Sequence, residues 1–192
     1  MSDSDNDEGF ERVAGPHEIA ARRPEGWFCP DCGQALAADG RGGRRYPYCT
    51  SCGFVRYRNP TVGVAVVVRD AQGRVLMGRR AAGTYGGLWC IPCGHVEWEE
   101  DVREAARREF FEETGLRVET REVLAVHSNF HNEKQHTVGV WFAGRVLEGT
   151  PYPADGEFSE LAWVDPAEPP PLAFPTDGLV LAELAAGDGT ET

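Results

Sequence analysis

An α/β domain preceded by a small cysteine-rich module is the fold class that the 192-residue sequence predicts, and three observations carry it. Thr61–Arg69 is a near-continuous apolar run of the kind found in strands buried on both faces. From Glu100 the spacing of apolar residues turns helical and runs to Thr114, where Gly115 supplies a stop. Upstream, Cys29/Cys32 and Cys49/Cys52 form two Cys-x-x-Cys-Gly turns with sixteen residues between them.

The elements follow in order. Met1–Glu8 holds four acidic residues and almost no apolar ones, so residues 1–26 read as a disordered tail. Residues 27–58 form the cysteine module. Each tight Cys-x-x-Cys-Gly turn presents two thiolates, Gly33 and Gly53 fit the turns, and Gly40, Gly42 and Gly43 supply a hairpin tip. Four thiolates at this spacing match a structural zinc ribbon, Cys29, Cys32, Cys49 and Cys52 being the Zn²⁺ ligands. A fully thiolate site leaves no open position for hydrolytic chemistry. The module either stabilises itself or a partner contact, or meets nucleic acid through Arg41, Arg44 and Arg45 beside Tyr46 and Tyr48.

Residues 59–186 form the main domain. After the Thr61–Arg69 strand, Asp70–Gly73 is a turn and Arg74–Arg79 returns as the second strand of a hairpin. Leu88–Ile91 is a short strand, the helix of residues 100–114 follows, and strands are predicted at Arg117–His127, His136–Val146 and Leu161–Val164. Thr176–Ala186 closes the domain as a helix, and residues 187–192 are a flexible tail.

Composition narrows function. The formal charge is −12, with 31 acidic against 19 basic residues, of which only Lys134 is lysine. Such a surface argues against general binding to nucleic acid or anionic membrane. It leaves room for a phosphorylated small substrate, because a cation and a few arginines dominate a local field. There is no apolar run of membrane-spanning length and no signal-peptide core, so a cytoplasmic protein is expected.

The chemistry concentrates in Arg108-Glu109-Phe110-Phe111-Glu112-Glu113. Its carboxylates stand at i, i+3 and i+4 and share one helix face, where like charges repel unless a cation intervenes. Oxygen-rich clusters of this kind suit Mg²⁺ or Mn²⁺. Val102, Ala105 and Ala106 lie on that same face, so the carboxylates continue an apolar stripe and are expected at the edge of a core. Around them, Gly94, Glu100, Arg108, Glu109, Phe110, Glu112, Glu113, Gly115 and Leu116 occupy every fixed place of the Nudix box. The chain strongly resembles the Nudix hydrolases.

That resemblance implies an α/β/α sandwich with a mixed sheet, and attack of water on a diphosphate. By similarity, Glu109, Glu112 and Glu113 ligate the catalytic Mg²⁺ or Mn²⁺ with the Gly94 carbonyl. Either Glu109 or Glu112 instead orients or deprotonates the water. Arg108 fixes a glutamate rotamer, with Glu100 in a similar structural role. Several members need a further carboxylate from beyond the box; Glu157 and Glu160 are the candidates, and Glu157 is preferred because Glu160 sits against the next strand. Cys90 and Cys93 flank Ile91-Pro92 ahead of the box, where many members carry a small residue in place of Cys93. They are either small fillers or a redox or metal-binding pair.

Substrate is the least legible feature. The chain lacks the Ser-Gln-Pro-Trp-Pro-Phe-Pro-like signature of NADH pyrophosphatases, and the proline of one ADP-ribose-specific group. Cys52–Pro60, Gly87-Leu88-Trp89 and Leu172-Ala-Phe-Pro175 are similar to a zinc-ribbon subgroup of ADP-ribose and FAD pyrophosphatases. The leading expectation is hydrolysis of ADP-ribose, FAD or a related dinucleotide to a nucleoside monophosphate and phospho-X. The alternatives are an NADH, NAD-cap or oxidised-nucleotide pyrophosphatase, or a non-catalytic nucleotide sensor. Trp89 and Phe130, with Trp98 and Trp141, are candidate base-stacking residues. His127 and His136, with His131, are candidates for binding phosphate or ribose. A homodimer is implied by resemblance only.

Overall fold

The computed structural model describes residues 27–37, 46–57, 59–132 and 135–187. The predicted tail at 1–26, Arg41, Arg44, Arg45, the hairpin-tip glycines and residues 188–192 lie outside the described residues. The chain divides into two compact units, Met1–Arg58 and Asn59–Thr192.

In the first unit the two cysteine turns repeat one geometry. The Gly33 N–H donates to the Cys29 carbonyl at 2.9 Å, and the Gly53 N–H to that of Cys49 at 3.0 Å. Gly33 at φ 72° and Gly53 at φ 81° take the left-handed backbone that these turns require. Isolated bridges Phe28–Ala35, Ala37–Tyr48 and Tyr48–Val55 tie the turns together.

The second unit contains β1 (Thr61–Val68), β2 (Val75–Arg80), β3 (Trp89–Cys90), β4 (Cys93–His95), α1 (Val102–Thr114), β5 (Arg117–Asn129), β6 (Thr137–Glu148), β7 (Phe158–Val164) and α2 (Pro175–Gly187). A four-stranded mixed sheet runs β4-β1-β6-β5, with β1 parallel to β6. A three-stranded antiparallel sheet runs β3-β2-β7. The α/β/α sandwich expected from the sequence is the observed class.

The apolar run of β1 explains the layers. Strand side chains alternate, so Val64, Val66 and Val68 pack with Ala105, Ala106 and Phe110 of α1. Ala65 and Val67 face the other way, onto Val75 and Met77 of β2 and Val180 and Leu181 of α2. A strand covered on both faces needs no polar alternation.

Here one expectation is corrected. β1 and β2 do not form a paired hairpin; beyond the single Arg69–Val75 bridge they diverge into different sheets. Both are apolar enough to be buried by packing face to face, which pairing within one sheet would not achieve. Strand β4 was also not foreseen. Three residues at the start of the box carry no periodic signal, yet they pair with Gly63–Ala65.

The helix begins at Val102 and not Glu100. Asp101 is its N-cap, accepting from the Arg103 and Glu104 N–H groups, and Gly115 closes it at φ 69°. Val102 is 39% exposed, so the buried stripe is Ala105, Ala106, Phe110 and Glu113 without it.

Candidate active site

Strand β4 lies at the edge of its sheet, and its outward N–H groups would be unpaired were it not for α1. The Cys93 N–H donates to Glu113 Oε2 at 2.8 Å, and the His95 N–H to Glu109 Oε1 at 3.2 Å. The spacing is matched: two strand residues span about 6.6 Å and four helical residues about 6 Å. Gly94 lies between these donors, and a Cβ there would overlap the Glu109 carboxyl group. A glycine is therefore what lets the carboxylate lie over β4.

Arg108 holds the array together. Its Nε and Nη2 grip both oxygens of Glu100 at 2.8 Å, a bidentate geometry that lysine cannot reproduce. Its Nη1 lies 2.9 Å from Glu109 and 3.1 Å from Glu112. Arg108 first, then the Glu97 N–H, holds the Glu100 carboxyl down at about 2. Ahead of the helix, Glu99 adopts φ 64°, a left-handed conformation costly for a non-glycine residue.

The three glutamates differ in setting. Glu113 is 2% exposed, Glu109 is half-buried and Glu112 is exposed. Burial pushes the Glu113 carboxyl well above the ordinary range, and the nearby Cys90, Glu157 and Asp155 add to it. A buried acid among further acidic groups is the setting that a bound cation relieves. Each of Glu109 and Glu113 uses one oxygen on the β4 edge. The donor set thus fits a hard divalent cation at Glu109, Glu112 and Glu113.

Of these carboxylates Glu109 lines a cleft of about 480 Å³ between the two sheets, together with Gly94, Glu97 and Glu157. Glu157 pairs with Arg80 at 3.4 Å. Glu160 pairs instead with its register partner Arg79 at 3.8 Å and does not line the cleft. Cys93 lines the cleft while Cys90 is fully buried behind it. The Cys90 thiol, then burial, pushes the Cys93 thiol well up, which disfavours the reactive thiolate.

The candidate substrate-binding residues fall elsewhere. Trp89, Phe130, His127 and His136 do not line the cleft. Trp89 packs on the core beneath Leu172. Phe130 and His136 stack on each other, 5.0 Å between ring centres. His127 faces Glu183 of α2 at 3.7 Å. Trp98 is 93% exposed. Of the residues considered with them, Trp141 and His131 do line the cleft.

Residues that sequence reasoning missed include Tyr85, Asn129, Phe174 and Asp177. Phe174 sits inside the Leu172–Pro175 motif, which was the one available signal. Asp177, 1% exposed, accepts from the Ile91 N–H at 3.0 Å and Trp141 Nε1 at 3.2 Å. It pins the first turn of α2 to the strand that leads into the box.

In the ribbon unit, the Sγ atoms of Cys29, Cys32, Cys49 and Cys52 all lie within 4.8 Å of one another, and all four thiols are free. Tetrahedral Zn–S bonds of about 2.3 Å place sulfurs about 3.8 Å apart, so the cluster has the right size for one ion.

The fold and the box define a hydrolase site of the Nudix type, and the sequence matches the NUDIX domain over residues 59–184. The chain belongs to the Nudix hydrolase family and is an enzyme of that family. It is 33% identical over 138 residues to an RNA pyrophosphohydrolase of Novosphingobium aromaticivorans, covering 60% of this chain and 83% of that one. It is 29% identical over 125 residues to an ADP-ribose pyrophosphatase of Methanocaldococcus jannaschii, covering 65% and 73%. The crystal structure of a NUDIX hydrolase from Nitrosomonas europaea is similar at TM-score 0.72 and 28% identity, over 86% of this chain and 93% of that chain. Two further curated relatives are matched over only 53% and 56% of their own length. Among the described residues, no helix is long and apolar enough to cross a membrane.

Proposed function

We propose that the protein hydrolyses the diphosphate of a nucleoside diphosphate linked to a second moiety, such as ADP-ribose or FAD, to a nucleoside monophosphate and phospho-X. The observation that carries this reading is the pair Glu109 and Glu113, each anchored through one oxygen on the edge of β4 beside a cleft of nucleotide size. Glu109, Glu112, Glu113 and the Gly94 carbonyl would hold Mg²⁺ or Mn²⁺. When bound, the cation polarises phosphate oxygens and lowers the pKa of the attacking water.

The side chains divide the remaining work. Arg108 fixes the rotamers of Glu109 and Glu112, so that they meet the diphosphate without reorganising. Glu157, on the cleft wall and within the field of Glu113, is the further carboxylate available to take the proton of water. Zn²⁺ in the four-cysteine ribbon is structural. By resemblance the enzyme works as a homodimer, which sedimentation would show.

A relative named for RNA pyrophosphohydrolysis favours a second reading, a capped or triphosphorylated RNA end as substrate. The −12 charge weighs against it, because affinity for a nucleic-acid backbone comes from neutralising phosphates. The test is product analysis by mass spectrometry with Mg²⁺ or Mn²⁺ on ADP-ribose, FAD, NADH, NAD-capped RNA, triphosphorylated RNA and oxidised dGTP, with Glu113→Gln as control. AMP released from ADP-ribose or FAD, and absent with the variant, is the expected result. Release from the RNA ends alone would replace this reading by the second, and intact substrates throughout would refute both.

A further inference from the structure

We infer that Tyr85, Phe174 and His131 form a platform on which the aromatic base of the substrate stacks, so that a ring-bearing nucleotide is what the cleft selects. The inference rests on the proposed diphosphate hydrolysis and names the part of the substrate that the site recognises.

All three rings line the cleft that Gly94 and Glu109 also line. They meet one another edge-on or tilted. Tyr85 and Phe174 have ring centres 5.4 Å apart, Tyr85 and His131 5.5 Å, and His131 and Phe174 5.7 Å. Three rings from three distant segments, converging in this way, make a wall of π surface. Its electron-poor edges and electron-rich faces suit a planar heterocycle.

The platform is built, not incidental. Tyr85 and Phe174 are half-buried and backed by the buried residues Cys90, Phe158 and Ala173, so two rings are held from behind. His131 is the exposed member, and Asn129 beside it holds its backbone N–H at 3.3 Å. Rings held by a core lose little freedom on binding, which is where stacking gains over a mobile side chain.

Arg80 connects the platform to the acidic site. Its guanidinium lies 5.8 Å from the Phe174 ring centre and 3.4 Å from Glu157. A phosphate attached to a base on the platform would therefore enter beside a cation before meeting the glutamates. Carbohydrate or lipid diphosphates offer the same phosphates but no aromatic ring to stack on the wall.

The test separates ring binding from hydrolysis. Binding of FAD is followed by flavin fluorescence, and of AMP and ADP-ribose by calorimetry, in buffer freed of Mg²⁺ and Mn²⁺ but without chelator, so that no turnover occurs and the ribbon keeps its zinc. Wild type, Tyr85→Leu, Phe174→Leu and the exposed His131→Ala are compared, with Tyr85→Phe as the conservative control. Base–aromatic stacking sets the expected loss at about tenfold or more in affinity for the Leu variants. Tyr85→Phe should bind as wild type does, and inhibition of turnover by inorganic pyrophosphate, which carries no ring, should not change.

Circular dichroism establishes that each variant is folded; His131→Ala, on the surface, keeps the test alive if a half-buried replacement unfolds. Equal binding by wild type and all folded variants, or no binding of the three ligands by wild type, overturns the platform. An inactive wild type that nevertheless loses FAD and AMP binding in the variants would refute diphosphate hydrolysis and leave the platform standing.

Discussion

Replacing Gly94 by alanine should silence the enzyme without unfolding it. Gly94 does not occupy the left-handed region, so its backbone accepts a side chain. The new Cβ would overlap Cδ and both carboxyl oxygens of Glu109, its three nearest neighbours. Since the obstacle is the far end of a flexible side chain, the carboxylate swings away, and the stability cost should be about 1–2 kcal/mol, too little to unfold the domain. The new Cβ would lie 2.0 Å from Glu109 Cδ, so regaining ordinary contact takes a swing of roughly 1.5 Å, and a misplacement of about 1 Å already costs on the order of 100-fold in rate. It also removes the 3.2 Å bond to the His95 N–H. The assay is kcat on the preferred substrate with a Mg²⁺ titration, beside thermal unfolding. Glu109→Asp, one methylene shorter, should show strong non-additivity with Gly94→Ala in a double-mutant cycle. A folded Gly94→Ala enzyme running at wild-type rate would show that Glu109 does not act from above β4, and the site as described would fall.

Three further outcomes follow from other parts of the molecule. Burial raises the Asp177 carboxyl to about 7, against the pull of the Ile91 and Trp141 N–H groups, while in the unfolded chain it titrates near 3.9. The folded state therefore binds the extra proton between about pH 4 and pH 7, and stability falls as pH rises through that window by on the order of a few kcal/mol. Urea unfolding at pH 5 and pH 8 should show this fall in wild type and a smaller one in Asp177→Asn; equal falls would discount the residue. Glu113→Gln keeps an oxygen for the Cys93 N–H but removes a buried charge, so its Tm should hold or rise. In the same variant Mg²⁺ should no longer raise Tm, and retained metal stabilisation would remove Glu113 from the ligand set. Elemental analysis should find one zinc per chain in wild type and none in Cys49→Ser; a metal-free, folded wild type would dispose of the ribbon's zinc.

Legibility in the sequence tracked how local each feature is. The glutamates were readable because helix geometry alone puts positions 109, 112 and 113 on one face, and Ala105 and Ala106 showed which way that face turns. Gly94 was singled out for its carbonyl; that its missing Cβ makes room for the Glu109 carboxyl group was not readable, because it depends on how α1 docks on β4. The preference for Glu157 over Glu160 came from adjacency to a strand, and the register Arg79–Glu160 shows why adjacency matters. Of the aromatic residues that line the cleft, only Trp141 and His131 were readable. The candidates came from sequence neighbourhood, three histidines and a phenylalanine in residues 127–136. Strand β5 extends two residues further than predicted, to Asn129, and carries His127 under α2 towards Glu183. Tyr85 and Phe174, by contrast, are brought together by the packing of β2, β3 and the segment before α2, contacts spanning some ninety residues that no local pattern encodes.

The edge of β4 shows why the box needs so many fixed places. A sheet edge offers N–H groups two residues apart, and a helix can satisfy them with acids four residues apart. Satisfying them that way uses one oxygen per carboxylate on the edge, so the bonds that dock α1 would also aim the proposed ligands. Docking and aiming would conflict if either acid could rotate. Arg108 prevents that for Glu109 and Glu112, Glu100 holds Arg108, and the 2% exposure of Glu113 restrains the last of the three. Each fixed residue then restrains the next one in the array, and the same contacts that stabilise the helix on the sheet fix the positions that the proposed hydrolysis requires of its carboxylates.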